Sequence, residues 1–304
     1  MSNFTDGTVS SFPPPTSTVL SEFLIYGALA GLTIMTALIS LLSVVIRLWT
    51  GGRDRALAYW VIHGIMLIFN VWAVVFSIYF TYTLVLGPNT CVTGYFVTNL
   101  SSHFFFFSFD LFLCFKTCTV ARWNPKAQFI LGLVIVNRVI WAIFDLIKSS
   151  GSFDPVAGCI YSQYPITGIG YNSADIICDA LCTIISLGAN WRILISNVSE
   201  IGGILLKENV LLAALMCAVN SVLIWVSSNV TDPYTVTVAF YVQNLIYCVC
   251  LNLELVWIEA RKSAVQSAAS AHNVSHPTAN AVSHSSMTKP ARSSETRKIV
   301  GGKA

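Results

Sequence analysis

Long apolar runs separated by short polar intervals fill the chain to about position 260. A bilayer-spanning helix needs about 20 consecutive, mainly apolar residues. Runs of that length fall near 23–47, 57–83, 94–119, 127–147, 167–189, 209–228 and 235–258. None alternates apolar with polar positions, and each far exceeds the roughly 10 residues of a barrel strand. A helix is then the only spanning structure that satisfies its own backbone hydrogen bonds in lipid. The pattern predicts an all-α, polytopic membrane protein, a bundle of seven transmembrane helices. Pro88, Pro125, Pro155, Pro165 and Pro233 stand at the edges of these runs, so no span is expected to kink at a proline.

The same pattern divides the chain into a segment 1–22, a membrane domain 23–262 and a tail 263–304. The tail is rich in Ser, Ala, Thr and His without hydrophobic period, which reads as disordered. Residues 1–22 contain no Lys or Arg, so no cleavable signal peptide is expected and the first span inserts as its own signal. Composition strengthens the membrane reading: 55% of residues are hydrophobic and 10% charged, against about a quarter charged in soluble domains. The formal net charge of +3 is dispersed among loops and tail and forms no basic stripe, which argues against a nucleic-acid partner.

Charge placement predicts orientation. Arg47, Arg53, Arg55, Lys116, Arg122, Lys126, Arg192, Lys207 and seven further basic residues after the last run fall on one side, and Lys148 alone on the other. The N-terminus is therefore expected outside and the C-terminus in the cytosol, in a multi-pass protein of the plasma membrane. Sequons at Asn3 and Asn229 lie on the expected outer side and are candidate glycosylation sites. Of nine cysteines, seven lie within or at the inner ends of the runs, where cysteine usually packs as a small apolar residue. Cys91 and Cys159 lie in expected outer loops. Two thiols on the oxidising side invite one disulfide, the alternatives being two unpaired loop thiols or one buried at a helix end.

Seven helices, an outer N-terminus with a sequon, and Cys91 and Cys159 as a link between the second and fourth interhelical connections make the chain similar to heptahelical receptors of the rhodopsin type. The resemblance is architectural and covers residues 1–262. Where that family carries an acid-Arg-aromatic motif this chain has Phe115-Lys116-Thr117; the sixth run lacks a proline, and Asn252-Leu253-Glu254 stands without an Asn-Pro pair. The resemblance implies an extracellular small-molecule or peptide ligand and a cytosolic signalling partner.

Ionisable residues inside spans are costly and mark functional sites. Asp110, Arg138, Asp175 and Asp179 lie at similar depths in the third, fourth and fifth runs, so Arg138 is expected to pair with at least one acid. Asp175 and Asp179, four apart on one helix face, would share a proton, flank a cation or face water together. A packing clamp and a ligand or ion site are both open. Nearer the cytosol, Lys116 with Asn252 and Glu254 would form an inner polar lock. Asn70, Asn137, Asn220 and Asn244 read as interhelical hydrogen-bonding glue, and Gly27 with Gly31 permits close packing within the bundle or in a homodimer.

Several classes drop out. The seventh run has no lysine for a retinal Schiff base, and only His63 and His103 lie in or near spans, too few for a metal hydrolase. No enzyme and no cofactor is expected. A receptor-like signalling protein is the leading expectation, with an ion- or proton-coupled transporter or channel using the midplane Asp and Arg residues as the alternative.

Overall fold

The computed structural model describes residues 17–50, 57–83, 85–154, 158–195 and 200–274. It contains α1 (Ser17–Thr50), α2 (Leu57–Thr83), α3 (Pro88–Val120), α4 (Pro125–Lys148), a hairpin of β1 (Ser150–Asp154) and β2 (Gly158–Ser162), α5 (Pro165–Ile195), α6 (Glu200–Asn229) and α7 (Pro233–Val274). Four helices open on a proline, the position where its missing N–H costs nothing and its fixed φ suits a helix. At α4, Asn124 adds a cap by accepting from the Lys126 N–H at 3.0 Å.

Residues Met1–Ile258 form one compact unit and Glu259–Ala304 another. In the first, α3 is the central helix, packed against α2, α4, α5 and both hairpin strands. Side-chain contacts tie α7 to α1 through Tyr26 and Tyr241, to α2 through Asn70 and Asn252, and to α6 through Asn220 and Tyr247.

The helices are inverted relative to a soluble bundle. On α1 the buried positions are Tyr26, Ala30, Thr33, Ala37, Ser40 and Val44, a four-three alternation that places one stripe inward. Leu24, Leu32, Met35, Ile39 and Leu42 point out, each more than half exposed. Small and polar residues inside with large aliphatics outside is the arrangement lipid selects, since a bilayer removes the penalty on exposed apolar surface and close packing must come from small residues. Among the described residues six helices are long and apolar enough to cross a membrane: Ser21–Thr50, Leu57–Thr83, Pro88–Val120, Pro125–Lys148, Pro165–Ala189 and Tyr234–Trp257. The protein is thus multi-pass. The sixth helix carries a shorter apolar stretch, Ala214–Asn229, among the described residues.

Several boundaries differ from the sequence reading, among them the end of α5, at Ile195 and not near 189, and the start of α6, at Glu200 and not near 209. Helix α3 starts at Pro88 and not near 94, so Cys91 sits in its first turn and not in a loop. Helix α1 starts at Ser17, inside the segment expected to precede the membrane domain. Helix α7 continues to Val274, into the expected disordered tail; the stretch 264–274 is rich in alanine, the best helix former, and holds no Gly or Pro. The remainder of that tail, and the sequon at Asn3, lie outside the described residues.

Candidate functional site

A disulfide joins Cys91 to Cys159, with Cα atoms 5.5 Å apart. It fastens the hairpin over the N-terminal end of α3, where β1 and β2 pair in antiparallel register with Phe153 opposite Cys159. Gly151 is required there: a Cβ would lie 2.7 Å from the Cys91 carbonyl oxygen and 2.8 Å from the Tyr95 ring.

Beneath the hairpin lies Asp145, wholly buried in the last turn of α4. Its Oδ1 accepts from Ser149 Oγ at 2.7 Å and Thr167 Oγ1 at 2.6 Å. Its Oδ2 accepts from Asn99 Nδ2 at 2.8 Å, His103 Nε2 at 3.1 Å and the Tyr161 hydroxyl at 3.2 Å. One carboxylate therefore ties α3, α4, the hairpin and α5 together. Burial, then the Asp145 charge, push the Tyr161 hydroxyl well above its usual pKa, so it stays protonated and donates.

Beside this hub is a cavity of about 50 Å³, with Phe76, Phe80, Phe106, Tyr161, His103 and Asn244 among its walls. That volume holds a few waters or one small ligand group. Two buried polar atoms on its lining residues, His103 Nδ1 and Asn244 Oδ1, have no hydrogen-bond partner among the described residues. Because His103 Nε2 faces a carboxylate, Nε2 carries the proton in the neutral ring and Nδ1 is a bare acceptor. Both orphan atoms then call for donors.

Tyr171 separates the cavity from the charged cluster. Its ring takes part in the cavity wall and also lies 5.2 Å from the Arg138 guanidinium carbon. Arg138 is 1% exposed. Its Nε contacts Asp175 Oδ1 closely and lies 3.5 Å from Asp110 Oδ2. The expected pairing of Arg138 with an intramembrane acid is present, and with two of them. Asp179 stands apart: both its oxygens are buried without a hydrogen-bond partner among the described residues. It borders a second void of about 20 Å³ with Lys116, Thr117, Cys182 and Ser186. One guanidinium cannot offset three buried carboxylates, so this cluster calls for a proton or a cation.

At the far end of α3, Lys116 Nζ meets Glu254 Oε1 at 2.8 Å. Asn252 is not part of this lock. It faces α2 instead and exchanges two amide hydrogen bonds with Asn70, at 2.9 and 3.1 Å. Two positions along a helix turn the side chain through about 200°, so Asn252 and Glu254 cannot share a partner. Asn220 bonds Tyr247 and Gln243 on α7, as interhelical glue should, whereas Asn244 belongs to the cavity. Of the four phenylalanines 104–107, Phe105 and Phe106 face the core and Phe104 stacks on Trp72. Asn229 is exposed at the end of α6, with its amide donating to the Trp225 carbonyl.

The sequence reading passed over Asp145, Asn99, Thr167 and Tyr161. Asp145 carried the only usable signal, an acid two positions inside the end of an apolar run, which reads as an interfacial charge until its partners on three other elements are known.

The fold and the buried charges define a polytopic membrane bundle with a polar interior. No protein-family model matches the chain, and no curated protein matches it.

Proposed function

We propose that this is a receptor-like seven-helix protein of the plasma membrane, N-terminus outside, that senses an extracellular small molecule in the cavity beneath the hairpin and signals to a cytosolic partner. The observation that carries this reading is that cavity, walled by aromatic rings and offering two unpartnered buried acceptors. The cavity takes one small group of its ligand, a donating hydroxyl or amine seated among the rings; a folded peptide is too large. The seventh span is α6: 30 residues at about 1.5 Å each give a rod longer than the roughly 30 Å hydrocarbon core. Two independent arguments support the orientation. Arg47, Lys116, Arg122 and Lys126 cluster at one end of the described helices and Lys148 stands at the other. The disulfide, which needs an oxidising compartment, lies at the end with Lys148. A groove at the opposite end, bordered by Arg122, Lys126, Ile130 and Ile185, suits an acidic cytosolic partner.

One observation favours a second reading. Asp179 and its void sit on the other side of Arg138 from the outer cavity, the arrangement expected of a cation or proton pathway with access from both faces. Labelling with a membrane-impermeant maleimide separates the two, using Ser102→Cys in the outer cavity and Thr183→Cys at the inner void, against the parent chain as background. The receptor reading expects Ser102→Cys to react in intact cells and Thr183→Cys only after permeabilisation. Reaction of both variants from both faces would replace it with transport, and silence of Ser102→Cys in intact cells would remove the outward-facing site.

A further inference from the structure

Two cysteine pairs with four-residue spacing face each other across the α3–α5 contact: Cys114 and Cys118 on α3, Cys178 and Cys182 on α5. Four-residue spacing puts both members of a pair on one helix face, one turn apart. The Cys114 sulfur lies 3.8 Å from that of Cys178 and 3.9 Å from that of Cys182. All three sulfurs fall within 4.8 Å of one another, and all three residues are buried. A metal–sulfur bond of about 2.3 Å in a trigonal centre separates its sulfurs by about 4.0 Å. The triangle already has nearly that size, so an ion could enter with little movement of either helix.

We propose that Cys114, Cys178 and Cys182 form an intramembrane site for a monovalent copper ion, Cu(I). Thiolate sulfur is a soft donor that selects Cu(I) or zinc over hard cations. Three sulfurs, with no fourth ligand in the cluster among the described residues, match Cu(I), which accepts trigonal sulfur coordination, and leave zinc short of its tetrahedral set. Cys118 lines the same cluster one turn away and is the reserve donor.

A second observation points at the same place. Asp179 lies within the Cys178–Cys182 turn, is 2% exposed, and keeps both carboxyl oxygens without a hydrogen-bond partner among the described residues. With Cys182 it borders the small inner void, which gives the ion a polar approach to the thiols from the Lys116 end. The thiols that ligate as thiolates release their protons on binding.

The test uses the full chain, purified in detergent under anaerobic reducing conditions and titrated with Cu(I) against a chromophoric Cu(I) chelator. The expected result is one ion per chain withdrawn from the chelator, with X-ray absorption reporting three sulfur neighbours at about 2.3 Å. Cys114→Ser and Cys178→Ser should each weaken retention at least tenfold, while Cys217→Ser and Cys250→Ser, remote from the triangle, leave it unchanged. Failure of the parent chain to compete with the chelator overturns the site. So does equal retention in Cys178→Ser, or an absorption spectrum with nitrogen or two-sulfur coordination. Absorption on the parent chain keeps the question decidable if a serine variant fails to fold.

Discussion

Replacing Asp145 tests whether the hairpin end is held by one buried carboxylate. Asparagine preserves the shape and can be oriented to fit: its oxygen takes the Oδ2 place facing Asn99, His103 and Tyr161, and its NH₂ faces Ser149 and Thr167, whose hydroxyls can turn to accept. All five charge-assisted bonds then become neutral ones, two of them reversed in direction. At about 1 kcal/mol lost per bond the change costs about 5 kcal/mol, or about 3 kcal/mol on the scale measured for bonds between membrane helices. Asp145→Ala is worse, because the Asn99 and His103 donors are left buried and unpaired at about 1–3 kcal/mol each, with a void added. Equilibrium unfolding of detergent-purified protein in SDS should order the stabilities parent, Asn, Ala, with the Ala variant at least about 4 kcal/mol below the parent. An Ala variant within about 1 kcal/mol of the parent, or one more stable than the Asn variant, would refute the idea that these donors depend on the carboxylate.

Four further outcomes are expected. Cys91→Ser should lower stability by about 4 kcal/mol, from the loop entropy of a 68-residue separation, and abolish the mobility shift between reduced and oxidised protein on gels. Arg138→Met should cost about 3–5 kcal/mol by leaving Asp175 and Asp110 buried without their cation, and Arg138→Met combined with Asp175→Leu should recover part of it; a double variant no better than either single would count against the pair. Gly151→Ala forces a methyl group against the Cys91 carbonyl and the Tyr95 ring, so it should destabilise by about 1–3 kcal/mol, while Gly27→Ala, with open space at its Cβ inside α1, should raise stability by up to about 1 kcal/mol. The raised pKa of Tyr161 makes its contribution fully present below the ordinary tyrosine value of 10.0 and lost as pH rises through the folded value; alkaline unfolding curves of the parent should therefore fall more steeply above that pH than those of Tyr161→Phe.

The hydrophobic pattern located the described helices, six of them long and apolar enough to cross a membrane, because its signal is long and local, twenty residues read in sequence with no need of a partner. Boundaries slipped where a helix runs past its apolar core: Pro88 to Gly94 is polar enough to read as loop, yet Pro88 starts α3 and brings Cys91 into its first turn. The charged midplane was legible in part. Depth alone brought Arg138 to Asp110 and Asp175, but depth says nothing of which way a side chain faces, so Asn252 was grouped with a partner on the wrong side of its helix; Asp179, on the Asp175 face but one turn further along α5, makes no ion pair with Arg138 among the described residues. Asp145 was the hardest case for the same reason. Its donors are a histidine and an amide on α3, a serine just past its own helix, a tyrosine on the hairpin and a threonine on α5. None is near it in depth-ordered sequence except Ser149, and each by itself is an ordinary polar residue at a membrane edge. The disulfide draws β2 onto α3 and so places Tyr161 against the carboxylate, beside the donors from α3 and α5. The hairpin therefore both lines the cavity through Tyr161 and helps hold Asp145, so a displacement of Tyr161 is felt through that carboxylate by α3, α4 and α5 together.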